Sequence, residues 1–454
     1  MTVAAGTRPI SLELRSTPAA KSGRKPLAAR FAFLVVLALM LLAFGASDAL
    51  PMNLAATALF ALAAWVVASR PVEPVLRPVI VIALTIAVLL ALWVVIQSAT
   101  SISSAPADSQ AAVVPIMLPF AVFVIALVLW PTDGTAKQLL QIIGIGGALL
   151  AAYGLVQLSL SPGKVLFIRP TPYRDTLTAT LMSPDAAAVA LGSVLIFLAI
   201  RSTELVGRVL LRAGNLGDVF RALLFSGSAL LTLAGLLLTQ SRVGIGATIV
   251  GLAVAMSLVV ALPGSRRSHR SDRTQLLQRI GVAAGVGAIT IASIGLFAAR
   301  TLTGGASRAG GESTCELPAL LRMLGDHWLL GNGAGTFSSA APAYADPTCG
   351  LSQTGMTEYS GFLAGWISLG LPFVAAVSGS VLVLAIVLAR GLAARRRMRW
   401  APITGIGVLI TIAISLAWTS AAYVPGVAAL VAALVAPICA ICLIDAKHNE
   451  GGSS

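Results

Sequence analysis

Charged side chains are scarce in this sequence. They make up 11% of the 454 residues, whereas soluble domains carry roughly 25%, so a soluble globular domain is excluded. Hydrophobic residues reach 57% and the mean hydropathy is +0.92, which together indicate a polytopic membrane protein. The net charge of +14 does not indicate nucleic-acid binding, because the basic residues lie in short blocks between apolar runs, as topology signals do.

Cysteine is scarce too, and a cleavable signal sequence is not expected. Of the four cysteines, Cys439 and Cys442 lie on neighbouring turns of the last apolar run, where helix packing accounts for them. Cys315 and Cys349 are different because they share one polar loop. The first 30 residues are polar and basic, and the apolar run after them leads into further predicted membrane spans.

Long apolar runs dominate what is present. Taken as helices of membrane-spanning length, they predict an all-α bundle of about twelve spans. The predicted spans are residues 31–47, 51–69, 77–97, 111–130, 138–158, 184–200, 222–240, 243–262, 279–298, 359–389, 402–419 and 424–444.

The basic clusters alternate with these runs so that they all fall on one side. That side is cytoplasmic by the positive-inside rule, and an even number of spans returns both termini to it. The predicted organisation is a cytoplasmic basic tail at 1–30, a membrane domain at 31–444 with a periplasmic loop at 299–358, and a cytoplasmic tail at 445–454.

The long outward loop has its own pattern. Apolar residues recur at helical spacing in ELPALLRMLGDHW, which predicts an amphipathic helix lying on the membrane face, and glycines then end the helix. Glycines that follow a helix form a C-cap and turn more readily than a phosphate-binding loop, which precedes a helix. The apolar residues are Leu317, Leu320, Leu321, Leu324 and Trp328; the glycines are Gly331, Gly333 and Gly335.

Arg242 raises a separate question, because it interrupts apolar chain from about Ala222 to Leu262. An arginine within hydrocarbon is costly. Either Arg242 lies at the tip of a hairpin that emerges into water, where its long side chain reaches the interface, or it is buried because a substrate needs it there.

Three stretches, in this order, resemble the bacterial O-antigen ligase and O-antigen polymerase-like membrane proteins. The first is RDTLTATLMSPDAAAVALG, which is similar to that family's outward loop with a Pro-Asn/Asp turn entering a helix. The second, LTQSRVG, is similar to its Thr-x-Ser-Arg hairpin. The third is similar to its long periplasmic loop. The stretches lie at 174–192, 238–244, and 322–344 with 358–372.

This resemblance implies glycosyl transfer from an undecaprenyl-pyrophosphate-linked glycan to a sugar acceptor on the periplasmic face of the inner membrane. It implies no nucleotide, metal or other cofactor. The partners would be the lipid-linked glycan, membrane lipid and other polysaccharide assembly and export proteins. Arginine suits pyrophosphate because its planar fork matches phosphate oxygens and stays charged. Arg242 is therefore the first candidate, Arg174 the second, and the further ones are Arg169, Arg300, Arg308 and Arg322.

The sequence departs from the family at its expected catalytic base, a histidine followed by asparagine. Tyr359 and Ser360 occupy those two positions. The substitutes are Glu358, adjacent to the vacant position, and His327, the one histidine predicted to face outward; Tyr359 could bind a sugar. The missing histidine keeps a second hypothesis open, a non-catalytic protein that binds lipid-linked polysaccharide or assists its assembly and export.

Two further hypotheses concern the loop cysteines and transport. In the oxidising periplasm two thiols in one loop usually pair, so a disulfide between Cys315 and Cys349 is predicted. A transporter is the weakest alternative, because the apolar runs carry no convincing charge at the membrane midplane.

Overall fold

The computed structural model describes residues 24–100, 102–166, 168–211, 216–262, 313–344, 360–394 and 398–444. Ten of the described helices are long and apolar enough to cross a membrane, and the chain is a multi-pass, all-α membrane protein. The helices are α1 (Arg24–Leu42), α2 (Ala49–Ser69), α3 (Arg77–Ala99), α4 (Pro106–Leu129), α5 (Asp133–Leu160), α6 (Pro184–Leu211), α7 (Leu216–Leu238), α8 (Arg242–Ala261), α9 (Ser313–His327), α10 (Phe337–Ala340), α11 (Gly361–Leu369), α12 (Leu371–Ala394), α13 (Trp400–Trp418) and α14 (Pro425–Ile444).

The ends of these helices follow local sequence signals. Proline, which lacks the N–H that a first helical turn leaves unpaired, is the first residue of α4, α6 and α14. Thr132 and Thr135 form a capping box at the start of α5. Short 3₁₀ turns at Phe44–Ala46, Ala341–Ala343 and Ala421–Tyr423 join other elements, and β1 (Lys164–Val165) pairs antiparallel with β2 (Arg169–Pro170) after α5.

Helices α6 and α14 form the centre of the bundle. α6 contacts α5, α7, α8, α13 and α14, while α14 also contacts α1, α4 and α12. Helix α7 and much of α3 and α12 carry large apolar side chains that are exposed on the surface of the bundle, as expected for lipid-facing positions. A central pair of buried helices thus fixes the ends of the surrounding helices relative to one another.

Most predicted spans correspond to helices, but one is broken. The predicted span 359–389 consists of the nine-residue α11 and the separate helix α12, because Gly370 has φ +70° and ψ −156° between them. Only glycine adopts this backbone conformation readily. Helix α1 also begins at Arg24, within the segment predicted as the basic tail, and the predicted span 279–298 lies outside the described residues.

The helix break is packed against α3 rather than exposed to lipid. Trp93, whose indole N–H donates a hydrogen bond to a carbonyl at the break, lies six residues before the end of α3. This distance corresponds to about 9 Å along the helix axis. Broken helices at membrane depth require internal partners for the freed carbonyl groups, and here each has one. Asn332 N donates to the Ile367 carbonyl at 2.9 Å. The Ser368 carbonyl accepts from Gly333 N at 3.0 Å and from Gln97 Nε2 at 3.1 Å, and the Leu369 carbonyl accepts from Trp93 Nε1 at 2.8 Å.

The predicted amphipathic helix at the start of the long loop is α9, and the structure shows what covers part of its apolar face. Leu320 is 1% exposed and packs with Met323 in a small core against Phe337 and Ile367, whereas Leu321 is 52% exposed. Leu324 is partly buried beside the same core, and Trp328 is 49% exposed. The apolar side chains of α9 are therefore divided: some are buried against α11, which packs directly beside α9, and the others are exposed. That α9 lies on the membrane face stays a prediction.

Candidate functional site

Three loops at one end of the bundle carry all the described non-glycine residues with positive φ. Such conformations cost of order 1–3 kcal/mol each and concentrate at functional sites. Two lie between α1 and α2, three between α5 and α6, and one between α7 and α8. The residues are Phe44, Ala46, Leu166, Ala179, Met182 and Gln240. We call this end of the bundle the outward end, because its loops are those predicted to face the periplasm.

Hydrogen bonds join these loops to one another. Gln240 Nε2 donates to the carbonyl of Asp175 at 2.9 Å, and Leu177 N donates to the carbonyl of Leu238 at 2.9 Å. Thr180 Oγ1 donates to the carbonyl of Leu41 at 2.5 Å. The segment after β2 is thereby tied to the hairpin between α7 and α8 and to the end of α1.

Arg242 is the first residue of α8 and is exposed. Ser241 caps the helix, its hydroxyl accepting from Gly244 N at 3.0 Å. A cation at a helix N-terminus opposes the helix dipole, which favours anions there by typically 0.3–1 kcal/mol. The position of Arg242 is therefore unfavourable for the helix alone, and an anion held by both the guanidinium and the helix end would reverse this.

Arg174 lies on the adjoining segment. It is exposed, its side-chain stem lies over Gly163, and it immediately precedes Asp175, whose carbonyl binds Gln240. Among the described residues no carboxylate lies within ion-pair distance of Arg174 or Arg242. The structure thus places the two first-ranked arginines on contacting segments, with neither guanidinium group in an ion pair within the described ranges.

Arg169 is engaged already. Its Nη1 forms an ion pair with Asp48, and its guanidinium lies 5.1 Å from the ring centre of Phe44. These contacts attach the β-hairpin to the turn between α1 and α2. Arg169 shapes the outward end in this state, and binding an anion would require it to share its charge with Asp48.

Asp185 and Ser241 form a contact that the sequence did not reveal. Ser241 Oγ donates to Asp185 Oδ1, which links the N-terminus of α6 to that of α8. The two helices approach closely at Gly244, where a Cβ atom would lie only 2.3 Å from the Cβ of Ala188. The Pro-Asp turn and the Ser-Arg hairpin were visible as separate motifs, but only this close approach brings them together.

Gly244→Ala is expected to destabilise the fold by about 1–3 kcal/mol, the usual cost of overpacking. Ala188 has no rotamer with which to avoid the added methyl group, so α6 and α8 must separate. Thermal unfolding of purified protein measures the effect. Gly246→Ala is the matched control, because nothing lies within 4 Å of a Cβ added there; equal unfolding temperatures for both variants would contradict the close contact.

His327 and Arg322 belong to a second group on α9. Tyr344 donates its hydroxyl proton to Asp326 Oδ2 at 2.9 Å and lies 3.2 Å from His327 Nε2. A tyrosine hydroxyl has one proton, so a hydrogen bond to His327 beside the one to Asp326 requires the tautomer of His327 with a proton on Nε2. Desolvation of the hydroxyl, followed by the bond to Asp326, raises the pKa of Tyr344 and keeps it protonated. With Nε2 acting as donor, His327 could accept a substrate proton only through Nδ1.

The two groups are separate in the described part of the chain. Arg322 is exposed and donates to the Tyr344 carbonyl at 3.4 Å, whereas no hydrogen bond of Arg174 or Arg242 reaches α9 or the segment after it. Cys315 lies in α9. The other predicted residues, which lie outside the described residues and stay predictions, are Arg300, Arg308, Cys349, Glu358 and Tyr359.

Ser360, the second residue at the family's His-Asn position, has a structural role. It is buried, its hydroxyl accepts from Leu363 N at 3.2 Å to cap α11, and it donates to the Ala417 carbonyl at 2.7 Å. Both bonds fix the point at which the chain re-enters the bundle against α13.

The sequence matches no protein-family model and no curated protein. The resemblance to O-antigen ligase-like proteins therefore rests on the three motifs alone.

Proposed function

We propose that the protein transfers a glycan from an undecaprenyl-pyrophosphate carrier to a sugar acceptor at the outward end, as a polysaccharide polymerase or ligase. The observation that carries the proposal is the pair of exposed arginines, Arg174 and Arg242, which have no ion-pair partner among the described residues and lie on contacting segments, Arg242 at the N-terminus of α8. This arrangement suits a doubly charged leaving group.

The arginine pair supplies the electrostatic part of the reaction. As the bond between the sugar and the pyrophosphate breaks, negative charge grows on the bridging oxygen, and guanidinium groups held nearby stabilise it. Arg242 is also the first residue of α8, the end of a helix at which the helix dipole favours an anion. Because no carboxylate in the described segments pairs with either arginine, neither has to break an ion pair within those segments to bind the carrier.

Apolar side chains beside the cationic loops suit a lipid-linked substrate. Val156 and Leu160 at the end of α5 are 47% and 70% exposed, and Ile168 in the hairpin is 79% exposed. A polyprenyl chain in the bilayer could follow this surface while its pyrophosphate reached Arg174. Because apolar and cationic groups lie at the same helix ends, this surface suits a lipid-linked pyrophosphate better than a soluble sugar phosphate.

The runner-up function is binding of lipid-linked polysaccharide without turnover, in support of assembly or export. It is favoured by Ser360, which caps a helix at a position where the family's catalytic His-Asn pair is expected. Purified protein, reconstituted with an undecaprenyl-pyrophosphate oligosaccharide, discriminates the two. Release of undecaprenyl pyrophosphate with a lengthened or transferred glycan supports the enzyme; carrier binding without release supports the runner-up.

The proposed location is the bacterial inner membrane, with both termini in the cytoplasm and the outward end in the periplasm. The basic blocks between the helices support this orientation. In a background without native cysteines, a membrane-impermeant thiol reagent added to intact spheroplasts is expected to label Ser338→Cys, on the exposed surface after α9, and to spare Ser268→Cys. The reverse pattern would place the arginine pair on the wrong side for this substrate.

A further inference from the structure

Glycosyl transfer requires a group that accepts the proton of the attacking hydroxyl, and the family histidine is missing. Resting on the proposed function, we propose that Asp185 is this group. It is a carboxylate joined by a hydrogen bond to Ser241, the residue immediately before Arg242.

The two oxygens of Asp185 differ in their surroundings. Oδ1 accepts from Ser241 Oγ, while Oδ2 has no partner among the described residues. The side chain is half-buried and Ser241 is 5% exposed. The carboxylate is therefore held in one orientation through Oδ1, with Oδ2 left to receive a proton, which is the arrangement that general-base catalysis requires.

Other carboxylates and bases at the outward end fit less well. Asp175 lies on the same loop but is exposed, and its side chain makes no hydrogen bond in the described part of the chain; only its carbonyl is used, by Gln240. His327 lies in the separate group on α9 with Nε2 engaged by Tyr344. Asp185 alone among these three combines a fixed orientation with a position beside Arg242.

Asp185, Arg242 and Arg174 together account for the proton and the charge that move in the reaction. The acceptor hydroxyl oxygen forms a bond to the anomeric carbon of the donor glycan as the bond from that carbon to the pyrophosphate oxygen breaks. The electron pair of the broken bond leaves with undecaprenyl pyrophosphate, stabilised by Arg242 and Arg174. The hydroxyl proton passes to Asp185 Oδ2, and no oxidant or cofactor is required.

The test uses full-length protein reconstituted in lipid with an undecaprenyl-pyrophosphate oligosaccharide. Asp185→Asn keeps an oxygen that can accept from Ser241 but removes the basic one, so turnover is expected to fall about 10²–10⁴-fold. Carrier affinity and unfolding temperature are expected to stay near wild type. Asp175→Asn is the matched control and is expected to retain near-normal turnover.

Chemical rescue separates a catalytic carboxylate from a structural one. Asp185→Ala leaves space at the site, and added formate is expected to restore part of its turnover, whereas formate leaves the wild type unchanged. Near-normal turnover of Asp185→Asn would overturn the inference. The inference would also be overturned if Asp185→Ala lost both stability and turnover and formate restored no turnover.

Two further outcomes distinguish this inference from its premises. If Glu358→Gln lowers turnover while Asp185→Asn does not, the base is Glu358 and the proposed function survives. If the wild type binds the carrier but never releases undecaprenyl pyrophosphate under any acceptor condition, the proposed enzymatic function fails and the inference fails with it.

Discussion

Arg242→Ala is expected to lower carrier affinity or turnover by about 30-fold to several thousandfold. The estimate corresponds to about 2–5 kcal/mol for removing one partner of a charge pair that is desolvated in the complex. Arg242 is exposed in the free protein, so the effect should appear only when the carrier covers it. Binding of undecaprenyl pyrophosphate and release from the glycosylated carrier, measured separately, show whether the loss falls on binding or on catalysis.

Two variants bracket the result. Arg242→Lys keeps the charge but loses the planar fork, so an intermediate loss is expected. Arg221→Ala removes one positive charge from a side chain that is 69% exposed near the other end of the bundle and 3.9 Å from Asp218, and it should leave carrier binding unchanged. Wild-type carrier affinity and wild-type polymer output in Arg242→Ala would refute the arginine site and leave Arg242 as an interfacial residue.

Membrane spans were predictable because each is written locally in the sequence. A run of apolar residues specifies a helix, and the predicted start at residue 424 lies within one residue of Pro425, whereas the predicted start at 111 lies five residues after Pro106, where α4 begins. The break at Gly370 was not predictable, because apolar residues continue on both sides of it. Its carbonyl partners come from Trp93 and Gln97, far away in sequence, and no local pattern encodes them.

The candidate site was predictable in part, for the same physical reason. Topology placed Arg174 and Arg242 on one side of the membrane, and the bond from Gln240 to Asp175 shows that their segments adjoin. The bond between Ser241 and Asp185 depends on the close packing of α6 and α8 at Gly244. Such packing involves pairs of small residues. Small residues are abundant throughout this sequence, so a local pattern does not identify which of them meet.

The packing partner of α9 was not predictable, for a related reason. Helical spacing identified Leu320 and Leu321 as apolar positions, but spacing cannot say which neighbour covers each of them. Once α11 folds back beside α9, Leu320 is buried against it while Leu321 stays exposed. An amphipathic helix near a membrane therefore has two possible apolar partners, and only the tertiary structure assigns them.

Gly370→Ala is expected to destabilise the protein by more than about 4 kcal/mol, in the range that is exceptional for one substitution. The residue has φ +70°, and an added Cβ would lie 2.4 Å from the Leu329 carbonyl oxygen and 2.7 Å from Gly331 N. Both neighbours are backbone atoms, so no side-chain rotation relieves the clash. Moving the break would also pull the Leu369 carbonyl from Trp93, its donor across the bundle, and the Ser368 carbonyl from Gln97, one of its two donors.

Gly379→Ala separates this effect from the general consequences of replacing glycine in a membrane helix. Gly379 lies within α12, and nothing lies within 4 Å of a Cβ added there, so alanine should be neutral or should stabilise by about 0.5–1 kcal/mol. Thermal unfolding in detergent, with the yield of monodisperse protein as a second measure, compares the two variants. If Gly370→Ala unfolds at the same temperature as Gly379→Ala, then α11 and α12 do not need a left-handed glycine between them. The predicted continuous span at 359–389 would then describe this segment better than a broken helix.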